Sequence, residues 1–198
     1  MADVLATVGP AAERRLRARF ALAGVSYPPE RVHLLAFKAE RRFELWASAG
    51  RGAKQVAVFP LLAGSGGPGP KLREGDYQIP EGRYRLVWLH PNSRYHLSMK
   101  LDYPNAFDRE QARREGRTNL GGDIFIHGGD VSIGCLAVGD PAIEELFVLA
   151  ARVGIERVTA IVAPWDLRHR PPPELEDLHL PWLPTLYAEL SRSLAAFR

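Results

Sequence analysis

The chain has 198 residues, with 26 Lys and Arg against 23 Asp and Glu, a formal charge of +3, 46% hydrophobic and 25% charged residues. This length builds one well-buried domain with terminal additions, and the mild basic excess, with no basic cluster interleaved with aromatics, gives no sign of nucleic acid as a partner. No run of about 18 apolar residues exists to form a transmembrane helix, and a single Cys excludes an intrachain disulfide or a structural zinc site while leaving one thiol.

Residues 11–23 place Leu16, Phe20 and Ala23 at helical spacing, and Gly24 closes the pattern. Arg14, Arg15, Arg17 and Arg19 interrupt the apolar core that an export signal would need, and the small apolar face favours packing onto the domain over lying on a membrane. After Tyr27-Pro28-Pro29, residues 31–47 read as a hairpin: His33, Leu35 and Phe37 share one face, Phe43, Leu45 and Ala47 follow, and AERR is the turn. Residues 54–62 give a third strand. The next run, GSGGPGP, meets a bare G-x-G-x-x-G spacing, but Pro68 and Pro70 prevent a helix from starting at its last glycine, so it reads as a loop rather than a dinucleotide site.

Gly75-Asp76 and Pro80-Glu81-Gly82 are turn signals around a short strand, and in residues 83–90 Tyr84, Leu86 and Trp88 alternate with Arg85 and Val87. Across residues 95–101, Tyr95, Leu97, Met99 and Leu101 form an apolar face, while His96, Ser98 and Lys100 share the opposite one, a groove wall or a solvent face. Asn105, with Asp108 three residues on, reads as the cap of a helix running to about Glu115. Its arginines, Arg109, Arg113, Arg114 and Arg117, make a solvated surface or meet substrate carboxylates. Farther on, Asp140 caps a helix with Pro141 at its first position and Ile143, Leu146, Phe147 and Ala150 on one face. Residues 155–163 read as a buried strand, Pro171-Pro172-Pro173 as a stiff spacer, and residues 183–197 as a helix docked through Leu186, Leu190 and Leu194.

The stretch GGDIFIHGGDVSIGCLAVGD, residues 121–140, holds the single thiol. Ile124 and Ile126 alternate with Asp123 and Phe125 in a strand that ends at His127; Gly128 and Gly129 break it, and the loop can return Cys135 to the imidazole, with Gly134 permitting a tight approach. A thiol with the ordinary pKa of ~8.5 is mostly protonated at neutral pH and needs a base to act as a nucleophile. His127 is the adjacent candidate and His96 a rival. A lone Cys is also commonly a small buried hydrophobe, and a lone His a satisfied core group, so residue types leave both readings open.

IHG followed by SIGC and then DPAIEELF resembles the L,D-transpeptidase catalytic domain of the YkuD type, specifically its YafK-like branch. SYPPERVHLLAFKAERRFELWA, GPGPKLREGDYQIPEGRY and NSRYHLSMKLDYPN are similar to that branch too, so the resemblance runs from about Ser26 to Pro164. Two positions depart from the broader family: Ile133 stands where it has a second His, and Ala137 where it has Arg or Asn. Both are similar to the branch.

The resemblance implies an α+β, mainly β, fold: a barrel-like or sandwich sheet with packed helices and helical additions at both ends. Residues 1–27 would be an N-terminal helical segment, 28–168 the catalytic domain, and 169–198 the Pro-rich spacer and helix. It implies that Cys135 attacks a peptidoglycan stem-peptide amide at diaminopimelate and that His127 moves the proton. The carbonyl of Gly128 would orient the imidazole, and the N–H groups of Gly134 and Cys135 would steady the oxyanion. Tyr95, His96, Ser98, Lys100, Tyr103 and Ser132 would bind substrate, with no metal or cofactor. An amine acceptor makes the enzyme a transpeptidase; water makes it a carboxypeptidase or an amidase that releases a wall-linked lipoprotein. A non-catalytic wall-binding module is the remaining alternative. The implied location is the periplasm or cell envelope, with the export signal absent from this chain.

Overall fold

Alternating burial along the strands divides the molecule into two apolar layers, one on each side of a mixed sheet. The computed structural model describes every residue except Ala49, Arg51, Glu176 and Asp177. In chain order the elements are α1 (Ala2–Ala23), β1 (Arg31–Phe37), β2 (Arg42–Ser48), β3 (Ala53–Pro60), β4 (Gly82–Ser93), β5 (His96–Leu101), α2 (Ala106–Arg114), β6 (Phe125–His127), β7 (Leu136–Ala137), α3 (Asp140–Val153), a 3₁₀ turn (Ile155–Arg157), β8 (Val158–Ala163) and α4 (Leu183–Leu194). The eight strands lie in the order β3-β2-β1-β8-β4-β5-β6-β7. The pairs β1/β8 and β6/β7 are parallel, and the others antiparallel. Among the described residues no ladder closes the sheet into a barrel; a bridge between Ala63 and Ala137 ties the chain after β3 to β7 at the far end.

Period-two alternation sends neighbouring residues of one strand to opposite layers. Val32, Leu34 and Ala36 of β1 join Phe43 and Leu45 of β2 in the layer covered by α1 and α3. Leu35 and Phe37 join Trp46 in the other layer, covered by Leu186, Tyr187, Leu190 and Leu194 of α4. Helix α1 begins earlier than its sequence pattern and runs through Pro10. Proline removes one helical rung, but burial of Gly9, Ala12, Leu16 and Phe20 outweighs that loss. Its basic face is engaged as well, with Arg15 and Arg19 each 2.8 Å from the buried carboxylate of Glu145 on α3. Among the described residues no helix is long and apolar enough to cross a membrane.

Three elements differ from expectation. Residues 77–79 form no strand, because the carboxylate of Asp76 accepts the N–H groups of Leu72, Arg73 and Gln78 and folds this segment into a turn. Residues 155–157 are a 3₁₀ turn before β8 rather than part of it. In β4 the register slips between Leu86 and Trp88, so Trp88 is 46% exposed instead of sharing the buried face of Tyr84 and Leu86.

The loop from 64 to 81 is anchored by a buried ion pair between Lys38 and Glu81 at 3.1 Å. The ammonium also donates to the carbonyls of Gly69 and Ile79, and Tyr187 of α4 donates to Glu81 at 2.8 Å. One carboxylate therefore joins the end of β1, the loop and α4. Removing one member of such a pair strands the other charge. Glu81→Ala is expected to cost about 3–5 kcal/mol in urea unfolding, and a loss below ~1 kcal/mol, the worth of an exposed pair, would deny the pair this anchoring role.

Candidate active site

The short strands β6 and β7 bring the imidazole and the thiol to one end of the sheet. In the β5/β6 ladder Ser98 faces His127 and Lys100 faces Phe125; in β6/β7 His127 faces Ala137, two residues beyond Cys135. The intervening loop is pinned by Asp140 and Ser65 from outside and by its own Ser132. Gly129 N–H donates to Asp140 Oδ1 at 2.8 Å, Gly134 N–H to Ser65 Oγ at 2.7 Å, and Cys135 N–H to Ser132 Oγ at 3.1 Å. Gly128 has no room for a side chain, since a Cβ there would lie 2.5 Å from Asp140 Oδ1 and 2.7 Å from the carbonyl of Tyr95. Asp140 is not the helix cap expected from its place before Pro141. Gly139 takes that position, and the Asp140 carboxylate holds the loop instead.

A pocket of about 200 Å³ is lined by Tyr95, His127, Val131, Ser132, Ile133 and Cys135. His127 is 2% exposed, and its Nδ1 lies 2.6 Å from the carbonyl oxygen of Gly128. A carbonyl only accepts, so Nδ1 carries the proton and Nε2 of the neutral ring keeps its lone pair. The Tyr95 ring covers the imidazole at 4.6 Å between centroids. Burial lowers the pKa of His127, against the raising effect of the Gly128 hydrogen bond. Burial raises that of Cys135 and the Asp123 charge adds to this, while the Phe125 N–H and the Lys71 charge pull it down. The half-buried thiol accepts from Phe125 N–H at 3.4 Å and donates to the Asp123 carbonyl at 3.5 Å. Among the described residues no hydrogen bond joins it to His127.

The other expected residues divide. Tyr95 and Ser132 line the pocket. Ser98 is buried beside His127, and Lys100 pairs with Asp123 at 2.6 Å. His96 does not line the pocket: its positive φ of 67° breaks the alternation with Ser98, and its Nε2 meets Glu144 of α3 at 3.0 Å. Tyr103 belongs to the core, 4% exposed, with its hydroxyl donating toward the carbonyls of Lys71 and Leu120. The N–H groups of Gly134 and Cys135, expected at the oxyanion, are both occupied by serine hydroxyls. Ser65 escaped the sequence reading because 69 positions separate it from Gly134. A larger cavity of about 750 Å³, whose lining includes Pro172, Leu175, His179, Leu183 and Tyr187, contains neither Cys135 nor His127. Among the described residues no group of three or more His, Cys, Asp or Glu is placed to hold a metal.

Residues 31–159 match the YkuD family, the L,D-transpeptidase catalytic domain. The protein YafK of Escherichia coli strain K12 is 37% identical over 118 residues, which are 59% of this chain and 46% of that protein. The fold is similar to that of the helical cell shape determining protein Pgp2 of Campylobacter jejuni, with a TM-score of 0.55 at 23% identity over 69% of this chain and 49% of that one. Bd1075 of Bdellovibrio bacteriovorus superposes with a TM-score of 0.50 at 18% identity, over 86% of this chain and 56% of that one. The chain thus spans about half the length of these relatives. The matched region begins with β1, includes the entire loop that carries Cys135 and ends within β8, and on that match the chain belongs to the YkuD family of L,D-transpeptidase catalytic domains.

Proposed function

We propose that this protein is a cysteine-dependent enzyme that remodels peptidoglycan in the cell envelope, acting on stem-peptide amides at diaminopimelate. Family membership supports the class of reaction and substrate. The observation that carries the residue assignment is the 2.6 Å hydrogen bond from His127 Nδ1 to the Gly128 carbonyl, which leaves Nε2 as the basic nitrogen of a ring that shares its pocket with the thiol.

The chemistry follows from that tautomer. Nε2 takes the thiol proton as Sγ bonds to the amide carbonyl carbon, and the imidazolium returns it to the leaving amine as the C–N bond breaks. A thioester on Cys135 remains. An incoming amine or water then attacks, losing a proton to Nε2, and the thiol leaves. An amine acceptor gives transpeptidation. Water gives hydrolysis, including release of a lipoprotein from its amide link to the wall. Ser132 Oγ accepts the Cys135 N–H and so directs its own hydroxyl proton elsewhere. Because Ser132 lines the pocket, its hydroxyl can rotate to donate to the carbonyl oxygen as that oxygen gains charge.

Burial keeps both partners neutral at rest, because it raises the thiol and lowers the imidazole. A thiolate–imidazolium pair would instead keep the cysteine ionised well below neutral pH. The rate of iodoacetamide labelling of Cys135, followed by intact mass, is therefore expected to keep climbing above about pH 8.5, the ordinary thiol value. A plateau already reached below neutrality would contradict the neutral pair.

Digestion of purified peptidoglycan, read as muropeptide masses, tests the function. Cys135→Ala is expected to abolish turnover, and His127→Ala to slow it by ~10²–10⁴. New cross-links identify an amine acceptor and shortened stems identify water. Unchanged muropeptides with a readily alkylated thiol would leave a wall-binding module. Ser132→Ala is expected to reduce turnover by ~10²–10³, the usual cost of one oxyanion donor. Iodoacetamide labelling, which forms no oxyanion, serves as the comparison: an equal loss there would assign Ser132 to loop structure.

A further inference from the structure

The irregularity in β4 turns a tryptophan outward beside the thiol pocket. Leu86 pairs with Leu101 and Trp88 with Lys100, so Val87 and Trp88 together oppose one residue of β5. Such a bulge inverts the parity of all that follows it. Leu89 then faces Met99 toward the core, while Trp88 and His90 turn to the opposite face, Trp88 exposed and His90 half-buried. Their rings stack at 4.3 Å and 17°. Trp46 and Trp165 are buried and Trp182 half-buried, whereas Trp88 is 46% exposed.

Two cross-strand rows continue this surface to the site. Trp88 pairs with Lys100 and Lys100 with Phe125; His90 pairs with Ser98 and Ser98 with His127. Residues directly opposite share a face, so one floor runs from the imidazole across β5 to the stacked rings. The Trp88 ring meets Phe125 at 6.5 Å, and the Phe125 N–H holds the thiol. The Lys100–Asp123 ion pair borders the floor. Two strand spacings make its width ~10 Å.

We infer that the Trp88–His90 platform is a saccharide subsite, binding a pyranose ring of the glycan to which the stem peptide is attached. The inference rests on the peptidoglycan reading above. A pyranose has a flat face of C–H groups and a rim of hydroxyl and acetamido groups. An indole stacked on an imidazole offers a flat partner for that face, and Lys100 and Asp123 offer charged hydrogen-bonding groups for the rim. A lipid chain would gain nothing from that ion pair.

The test is titration with an N-acetylglucosamine tetramer that carries no peptide, followed by tryptophan fluorescence and calorimetry. Saturable binding is expected. Trp88→Ala should weaken it about tenfold or more, Trp88→Phe should retain part, and Trp182→Phe should match the parent; a melting temperature equal to the parent's verifies that each variant is folded. In turnover, the preference for a disaccharide-bearing tetrapeptide over the free tetrapeptide, read as the ratio of kcat/KM values, should fall about tenfold in Trp88→Ala. Saccharide binding without any turnover would overturn the catalytic reading and uphold the subsite. Turnover without saccharide binding, or equal binding by folded Trp88→Ala, overturns the subsite.

Discussion

Eight residues, 128–135, return the chain from the end of β6 to the start of its parallel neighbour β7. Parallel neighbours ordinarily need a crossover of about a dozen residues or more, and this pair manages with fewer because the strands are three and two residues long. The return must therefore be tight. Gly129 and Gly134 supply positive φ angles of 69° and 82°, open to glycine at little cost. The loop has no regular ladder of its own, so Asp140, Ser65 and Ser132 satisfy its N–H groups. The position of the Cys135 thiol is set by this closure, at the last residue before β7.

Closure also sets the electrostatics. Packing the loop under Tyr95 withdraws the imidazole and the thiol from water, and desolvation acts on them in opposite directions toward the uncharged form. The hydrogen bond to Gly128 keeps one ring tautomer. In the proposed reaction, a neutral imidazole and a neutral thiol couple proton removal to bond formation without holding a separated charge in the pocket beforehand.

Much of this was legible in the sequence because it is local. Asn105 and Asp108 form the capping box that their spacing suggested, Gly24 ends α1 in the left-handed region, and Leu186, Leu190 and Leu194 dock α4. The pairing of His127 with Cys135 in one pocket was also readable, from a strand followed by glycines and a short return. Long-range effects hid the rest. A bulge in β4 is fixed by its partner strand, so simple alternation put Trp88 on the wrong face. His96 looked equivalent to Ser98 until the hairpin turn gave it a positive φ. Asp140 beside Pro141 read as a cap because nothing local shows that its carboxylate is needed across the loop at Gly129.

The Ser65 hydroxyl accepts from Gly134 N–H and donates to the Tyr77 carbonyl at 2.6 Å, joining two loops that the chain separates widely. Close behind it, a Cβ on Gly64 would lie 2.6 Å from Ile79 Cδ1. Transplanting the motif from His127 to Cys135 into another sheet would leave Gly134 N–H without its acceptor. The smallest portable unit is discontinuous: the return loop together with the turn from Gly64 to Ile79, carried on a scaffold able to present both at the end of one sheet.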